Sequence, residues 1–90
     1  MTIRAVFAGT PDFAVPSLEA LLNSEVEVIA VYCQPDRPAG RGQKLRPCAV
    51  KSRAIQDNLT IRQPESLKSE SSYLRDQKVD LAVVVAYGML

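Results

Sequence analysis

The sequence contains no histidine and only two cysteines, and these shortages exclude several kinds of site. A structural zinc ion needs four ligands, whereas Cys33 and Cys48 supply at most two thiols and form no CxxC pair. We therefore expect no metal site. We also expect both thiols to be free, as is usual in a reducing cytosol.

Long apolar runs are also absent. The longest ones, Val28–Cys33 and Leu81–Tyr87, fall far short of the roughly 20 residues that span a bilayer, and the first four residues have no signal-peptide layout. The chain of 90 residues is 47% apolar and 23% charged, which is typical of one small globular domain or part of a larger one. These features predict a cytoplasmic protein that does not contact a membrane.

A glycine-rich nucleotide fingerprint is missing as well. A dinucleotide-binding protein carries G-x-G-x-x-G after its first strand, but this chain has Gly9, Thr10, Pro11, Asp12 and Phe13 there. The Asp12 carboxylate would also repel a pyrophosphate. Two interpretations stay open: a tight turn in which Asp12 caps the next helix, or a loop that contacts a substrate.

Apolar periodicity predicts strands that alternate with helices along the whole chain. The predicted strands cover residues 3–8, 26–33, 60–63 and 79–86, and the helices cover 14–22, 49–58 and 66–78. The order is βαβαβαβ, which predicts an α/β fold with a doubly wound parallel sheet. The segment 34–47 contains three prolines and two glycines, so we predict a long irregular loop there.

Few residues of the third predicted helix can be buried. Only Leu67, Tyr73 and Leu74 offer apolar surface, and Ser66 can cap its start. Its carboxylates, Glu70 among them, show no pairing that suits acid–base chemistry, and we expect them to be solvated. The last strand would leave an apolar edge exposed.

Positive charge is concentrated in one segment. Six basic residues and no acidic ones lie between positions 37 and 53, namely Arg37, Arg41, Lys44, Arg46, Lys51 and Arg53. The charge of this segment is +6, which leaves −5 for the rest of a chain whose net charge is +1. A long basic loop at the carboxyl edge of a sheet suits a phosphate backbone, although a solvated loop without a partner is the alternative.

The end of the chain offers a third candidate segment. Tyr87 and Met89 present flat or soft apolar surface for a planar ring, and Gly88 permits close approach of the backbone. Ordinary packing at the end of a strand explains the same residues. Asp36 follows the second strand, where dinucleotide enzymes bind a ribose, but the fingerprint that should accompany it is absent.

Three strings of residues together resemble the methionyl-tRNA formyltransferases. They are Phe7–Ala14, Gln34–Gly42 and Val83–Gly88, and they occur in the order and spacing of that family. The resemblance covers essentially all 90 residues, and the middle string is the most specific. It implies a Rossmann-like formyltransferase fold of which residues 1–90 are the N-terminal portion. The rest of the catalytic domain and a C-terminal domain would be absent.

The resemblance also implies a reaction and a role for each segment. The formyl group of 10-formyltetrahydrofolate would move to the amino group of methionyl initiator tRNA, in an enzyme that is a monomer when full length. The basic insertion, residues 35–47, would contact tRNA through Arg41, supported by Arg37, Lys44 and Arg46. Residues Tyr87, Gly88, Met89 and Leu90 would form one wall of the folate pocket. The turn from Gly9 to Phe13 would lie beside the reacting groups.

The family's catalytic residues are not among these segments. The resemblance implies an Asn, a His and an Asp after the fourth strand, so we assign no catalytic residue here and expect the 90 residues alone to be inactive. Two alternatives remain open at this point. One is another folate-dependent formyltransferase, for example one acting on a nucleotide sugar, and the other is a non-enzymatic RNA-binding α/β module.

Overall fold

The computed structural model describes residues 2–39 and 44–88. Its strands are β1 (Arg4–Gly9), β2 (Glu27–Tyr32), β3 (Arg37–Ala39), β4 (Lys44–Arg46), β5 (Ile61–Arg62) and β6 (Leu81–Val85). Its helices are α1 (Val15–Leu22), α2 (Ala49–Gln56) and α3 (Ser71–Asp76), with short 3-10 turns at Asp12–Ala14 and Leu67–Glu70. The four strands and three helices predicted from the sequence are all present.

The main sheet has four parallel strands in the order β5-β2-β1-β6. The central strand β1 pairs on both sides, so that Phe7 lies between Val31 of β2 and Val83 of β6. A parallel sheet joined by helices confirms the predicted α/β class. Because all four strands run the same way, their carboxyl ends meet at one edge.

Helices cover both faces of this sheet, which makes it doubly wound. On one face Phe7 and Val31 pack with residues of α1 and α2, including Leu18 and Val50. On the other face the core is completed by residues of α3 and its neighbours; this second cluster contains Val6, Ala8, Ala30, Tyr32 and Tyr87, with Tyr73 and Leu74 packed against it. The middle of the sheet is therefore buried on both sides.

The inner strand β2 and the outer strand β6 differ in burial. Ala30, Val31 and Tyr32 are buried, as the continuous apolar run predicted for the second strand. Strand β6 instead lies at an edge of the described sheet, and Val84 is 54% exposed. The predicted exposed apolar edge is confirmed.

The first helix begins differently from the prediction. Pro16 lies in the first turn of α1 and Asn23 follows its end, as expected. However, the side chain of Asp12 does not cap the helix: it stands at the start of the 3-10 turn after Pro11, and no side chain makes a cap hydrogen bond at either element. Because the turn continues directly into α1, its backbone satisfies the donors that a cap would have served.

The basic segment is not irregular, which corrects the prediction of a structureless loop. Strands β3 and β4 form a two-stranded antiparallel ribbon in which Pro38 pairs with Leu45. A proline lacks an N–H, but a ribbon of two strands has outward-facing positions where no donor is needed. We call residues 37–46 the basic hairpin.

The third predicted helix is also corrected in two respects. It is divided into the 3-10 turn and α3, with Ser66 capping the turn by accepting from the backbone N–H of Lys68. Leu67 is 42% exposed, whereas Glu70, predicted to be solvated, is only 5% exposed. Glu70 is buried because Arg62 and the hydroxyl of Tyr32 both donate to its carboxylate.

Within the described residues, every helix is too short or too polar to cross a membrane.

Candidate functional site

Three loops meet at the carboxyl edge of the sheet. They follow β1, β2 and β6, and they begin at Thr10, Cys33 and Ala86. In open parallel sheets the crevice outside the carboxyl ends is where ligands bind. The first candidate site of the chain is therefore the space between these loops.

One hydroxyl joins the three loops. Thr10 Oγ1 donates to the carbonyl of Tyr87 at 3.1 Å and accepts from the backbone N–H of Gln34 at 3.4 Å. Gln34 Nε2 donates to the same Tyr87 carbonyl at 3.0 Å. A hydroxyl can donate and accept at once, so Thr10 connects loops that are 24 and 77 positions away in sequence.

Gly9 lets the backbone approach closely at this point. A Cβ atom there would lie 2.8 Å from the carbonyl oxygen of Val85 and 2.9 Å from the ring of Phe7. Neither neighbour can move without disturbing the sheet or the core. Glycine is therefore required by contact with β6, and the turn after it is fixed relative to the sheet.

A cleft of about 630 Å³ opens in front of this turn. Its wall combines the predicted turn with the two ends of the basic hairpin and the start of α2; the lining residues are Thr10, Pro11, Asp12, Phe13, Gln34, Pro35, Asp36, Arg46, Pro47, Cys48 and Ala49. Phe13 is 69% exposed, which is unusual for an aromatic side chain that serves only packing. The cleft is large enough for a small molecule or the end of a longer one.

A polar network connects the residues just before the basic hairpin to α2 and to the residue after β5. The Lys51 ammonium donates to both carboxylate oxygens of Asp36, at 2.8 and 3.1 Å, and Gln63 Nε2 donates to Asp36 Oδ1 at 2.8 Å. Gln63 Nε2 also donates to the carbonyl of Gln34 at 2.9 Å. The hydrogen bonds from Lys51 and then Gln63 lower the pKa of Asp36. Asp36 thus acts as an acceptor that joins the hairpin to α2 and β5.

The six basic residues of the segment are not equivalent. Lys51 is paired with Asp36, and Arg53 is paired with Asp57 and Glu19, so two of the six positive charges are already neutralised. The hydrogen bond with Asp57 raises the pKa of Arg53. Arg46, by contrast, is exposed and lines the cleft. The sequence could not distinguish these residues, because their acidic partners lie outside the basic segment.

The backbone places two other predicted tRNA residues in the strands of the hairpin. Arg37 opens β3 opposite Arg46, and Lys44 opens β4 opposite Ala39. Arg41 lies outside the described residues. Arg46 is the member of the predicted cation set whose side chain is described, and it lines the cleft.

The predicted folate segment is described only in part, since Met89 and Leu90 lie outside the described residues. The Tyr87 ring is 2% exposed and packs in the second core cluster, and burial raises the pKa of its hydroxyl. Gly88 is exposed, with a φ of 92° and no room for a Cβ because Gln34 Nε2 would lie 2.0 Å from it. Neither Tyr87 nor Gly88 lines the cleft; the Tyr87 carbonyl accepts from Thr10 and Gln34, which do.

Metal binding has no support in the described part of the chain, where no three His, Cys, Asp or Glu side chains come together to hold an ion. The polar groups of the cleft are instead a threonine hydroxyl, amides, carboxylates and an arginine. Such groups can bind and orient a polar substrate, but the described lining contains no imidazole, the side chain that most often serves as a general base.

The amino-acid sequence that forms this sheet and cleft is similar to sequences of known proteins. Residues 2–90 match the family model described as formyl transferase. The chain belongs to the formyl transferase family. The resemblance expected from the three strings of residues is thereby confirmed.

Curated relatives are similar along nearly the whole chain. Identity is 56% to a methionyl-tRNA formyltransferase of Ectopseudomonas mendocina (strain ymp), covering 99% of this chain and 29% of that protein. It is 57% to proteins of the same name from Idiomarina loihiensis and from Jannaschia sp. (strain CCS1), covering 98% of this chain and 28% and 30% of those proteins. The chain therefore spans less than a third of the length of the curated relatives it matches.

Sequence reasoning missed several features of the site. It did not identify the bridging role of Thr10, the contacts of Gln34, or the place of Cys48 in the cleft wall. Each depends on which loops meet at the sheet edge, and no local pattern encodes that. The one available signal was the position of Thr10 and Gln34 directly after predicted strands, where parallel topology brings loops together.

Proposed function

We propose that this chain forms part of an enzyme that transfers a formyl group to the amino group of methionyl initiator tRNA. The donor would be 10-formyltetrahydrofolate, which supplies a formyl carbonyl for attack by the amine. The observation that carries the proposal is the cleft in which the turn after β1 faces Arg46 at the end of the basic hairpin. One wall suits a small polar substrate, and the other suits a phosphate backbone.

The residues of this chain would bind and orient rather than catalyse. Arg46, with Arg37, Arg41 and Lys44, would contact tRNA phosphates, while Thr10 and Gly9 would fix the turn beside the reacting groups. Amine attack needs a proton acceptor and a donor for the developing oxyanion, and the proposal assigns neither to a residue of this chain. We also propose that residues 87–90 form one wall of the folate pocket, next to the turn that their Tyr87 carbonyl joins through Thr10.

The location and assembly of the enzyme follow from the same proposal. An enzyme that acts on initiator tRNA works where translation begins, so we place it in the cytoplasm. We propose that the full-length protein works as a monomer, with tRNA and folate as its partners.

The decisive experiment reverses the charge of Arg46 in the full-length protein. Arg46→Glu should raise the KM for methionyl-tRNA by about tenfold at moderate salt, because a phosphate contact becomes repulsive. The slope of log(kcat/KM) against log salt should fall by about one, as expected for the loss of one phosphate contact. Folate affinity, measured by equilibrium titration, should hardly change.

Arg75→Glu is the matched control, because Arg75 is an exposed arginine on α3, away from the cleft lining. It makes the same charge change and should leave the KM for tRNA unaltered. An equal loss in both variants would mean that only the overall charge matters. Loss of folate binding in Arg46→Glu, with the KM for tRNA unaltered, would contradict the assignment of Arg46 and the basic hairpin to tRNA.

A further inference from the structure

One aromatic ring is exposed at the cleft. Phe13 is 69% exposed, which is the highest value among the large apolar side chains that the structure describes. It lines the cleft together with Arg46, whereas the other exposed large apolar side chains do not. An aromatic ring in water gives up the large stabilisation that its burial would bring, so a ring exposed at a cleft wall indicates contact with a ligand.

The backbone around Phe13 is held on both sides. The next residue, Ala14, is fully buried in the first core cluster, and its N–H donates to the carbonyl of Pro11 at 3.0 Å. At the start of the turn, Gly9 is in close contact with β6. The ring is therefore carried by a short, anchored turn, and a ligand that contacts it need not order the backbone first.

The ring lies beside rigid apolar residues. Pro11, Pro35 and Pro47 line the same cleft, and the ring of a proline fixes its own backbone. More than two thirds of the Phe13 side chain stays accessible among them, as its exposure of 69% shows. A flat, open wall of this kind suits a planar group better than a compact one that needs to be enclosed.

Charge divides the cleft into two parts. Arg46 is exposed at one part, whereas Asp12 is exposed beside Phe13 at the other. Asp36, the other acid of the described lining, is already paired with Lys51. A phosphate is attracted to Arg46 and repelled by Asp12, but a carboxylate can accept hydrogen bonds from the amino group of a nucleobase. The part around Phe13 thus suits a base, and the part around Arg46 suits a phosphate.

We propose that Phe13 is the platform on which the terminal base of the tRNA stacks, while a phosphate of the same single-stranded end contacts Arg46. An exposed aromatic ring beside a cation is the usual arrangement for binding single-stranded nucleic acid, because every base has a flat π-face. The inference rests on the proposed function, since it takes aminoacylated tRNA as the occupant of the cleft. Stacking would fix the terminal nucleotide, and with it the attached amino acid, beside the turn.

A double-mutant cycle between protein and RNA tests the contact without catalysis. The full-length protein and its Phe13→Ala variant are each titrated with uncharged initiator tRNA, once intact and once with an abasic terminal nucleotide. In the unaltered protein, removal of the base should raise the Kd by about tenfold, because one stacked base is lost. In Phe13→Ala the same removal should raise it by less than about twofold, since the base has already lost its partner.

Two further variants serve as controls. Phe13→Tyr keeps the ring and should retain the sensitivity to the base. Ile55→Ala removes an apolar side chain of α2 that is 54% exposed and does not line the cleft, and it should behave as the unaltered protein does. Removal of the base leaves the phosphates in place, so the slope of log Kd against log salt should not change.

The proposal is overturned if removal of the base raises the Kd equally in the unaltered protein and in Phe13→Ala. It is also overturned if base removal has no effect while Phe13→Ala reduces the preference for methionyl-tRNA over the same tRNA charged with another amino acid, because the ring would then contact the amino acid. Either result in a full-length protein that formylates methionyl-tRNA would leave the proposed function standing. A protein that neither binds nor formylates this tRNA would contradict both.

Discussion

Two carboxylates, Glu70 before α3 and Asp36 in the loop after β2, are held in similar ways but in different environments. Glu70 accepts from Arg62 and from the Tyr32 hydroxyl, the latter at 2.8 Å, and it is buried. Asp36 accepts from Lys51 and Gln63, but its side chain is 26% exposed. Each acid has one cationic partner; Asp36 has one neutral partner and Glu70 has two, since the Ser69 hydroxyl also donates to it at 3.2 Å. Burial remains the main difference between the two networks.

Burial determines what each network contributes. Arg62 lies over the ring of Tyr73 at 3.7 Å from its centroid, so the Glu70 network is shielded on one side by aromatic surface. Removing a partner there leaves a polar group without water, which is costly. Around Asp36, water can replace a lost partner. We conclude that the Glu70 network stabilises the fold, whereas the Asp36 network mainly positions the basic hairpin.

The largest effect should come from Glu70→Gln in the full-length protein. The change leaves Arg62 and Tyr32 without a charged acceptor, and the Arg62 side chain is 33% exposed, which reduces the loss. We expect the free energy of unfolding to fall by about 2 kcal/mol, measured by urea denaturation. Glu65→Gln, at an exposed position near the same turn, should change it by less than about 0.5 kcal/mol. If Glu70→Gln and Glu65→Gln lowered the free energy of unfolding equally, burial would not explain the contribution of Glu70.

The pH dependence of stability should also reveal the contribution of Glu70. The hydrogen bond from Arg62 lowers the pKa of Glu70 from its ordinary value of 4.5, against the opposing effect of burial. Ionised Glu70 therefore stabilises the fold fully at pH values above the ordinary pKa of a glutamate. This stabilisation is lost as the pH falls through the lowered pKa of Glu70 in the folded protein.

The test compares urea midpoints of the unaltered protein and Glu70→Gln between about pH 7 and about pH 3. The difference between the two urea midpoints should become smaller as the pH falls. Glu70 loses its charge on protonation, whereas the glutamine of the variant does not titrate. A constant gap would show that the ionised form of Glu70 contributes nothing.

The smallest change in stability should follow from Gln63→Met, which probes the Asp36 network without altering any charge. It removes the hydrogen bonds to Asp36 and to the Gln34 carbonyl at a half-buried site, so the free energy of unfolding should fall by less than about 1 kcal/mol. If the network positions the hairpin, the KM for methionyl-tRNA should rise several-fold while its salt dependence keeps the same slope.

Gln56→Met on α2 is the control for this experiment, since Gln56 is exposed and outside the network. It should affect neither stability nor KM. If Gln63→Met lowered stability strongly but left the KM unchanged, the Asp36 network would also serve to stabilise the fold and not to position the basic hairpin.

The sequence predicted the sheet well because its strands are encoded locally. Runs such as residues 26–33 are apolar enough to require cover on both faces, and the turn residues after Ala8 mark where the first strand ends. Helix positions followed in the same way. The parallel topology then predicted that the candidate site lies at the carboxyl edge of the sheet.

The errors came from features that depend on distant partners. Glu70 was expected to be solvated because most glutamates are, but Tyr32 and Arg62 make it a buried acceptor from 38 and 8 positions away. The prolines and glycines of the basic segment indicated an irregular loop, although backbone pairing between Arg37 and Arg46 was available. Counting helix and strand breakers cannot reveal such pairing.

The position of β1 between β2 and β6 has a further consequence for the cleft. To open the sheet just before Gly9, β1 must separate from neighbours on both sides at once, because Ala8 pairs with Tyr32 of β2 and with Val84 of β6. Local unfolding of that kind requires a free energy close to that of the whole fold. The turn that carries Thr10 should thus keep one geometry through each binding event, and any adjustment to a ligand must come from the segments around it.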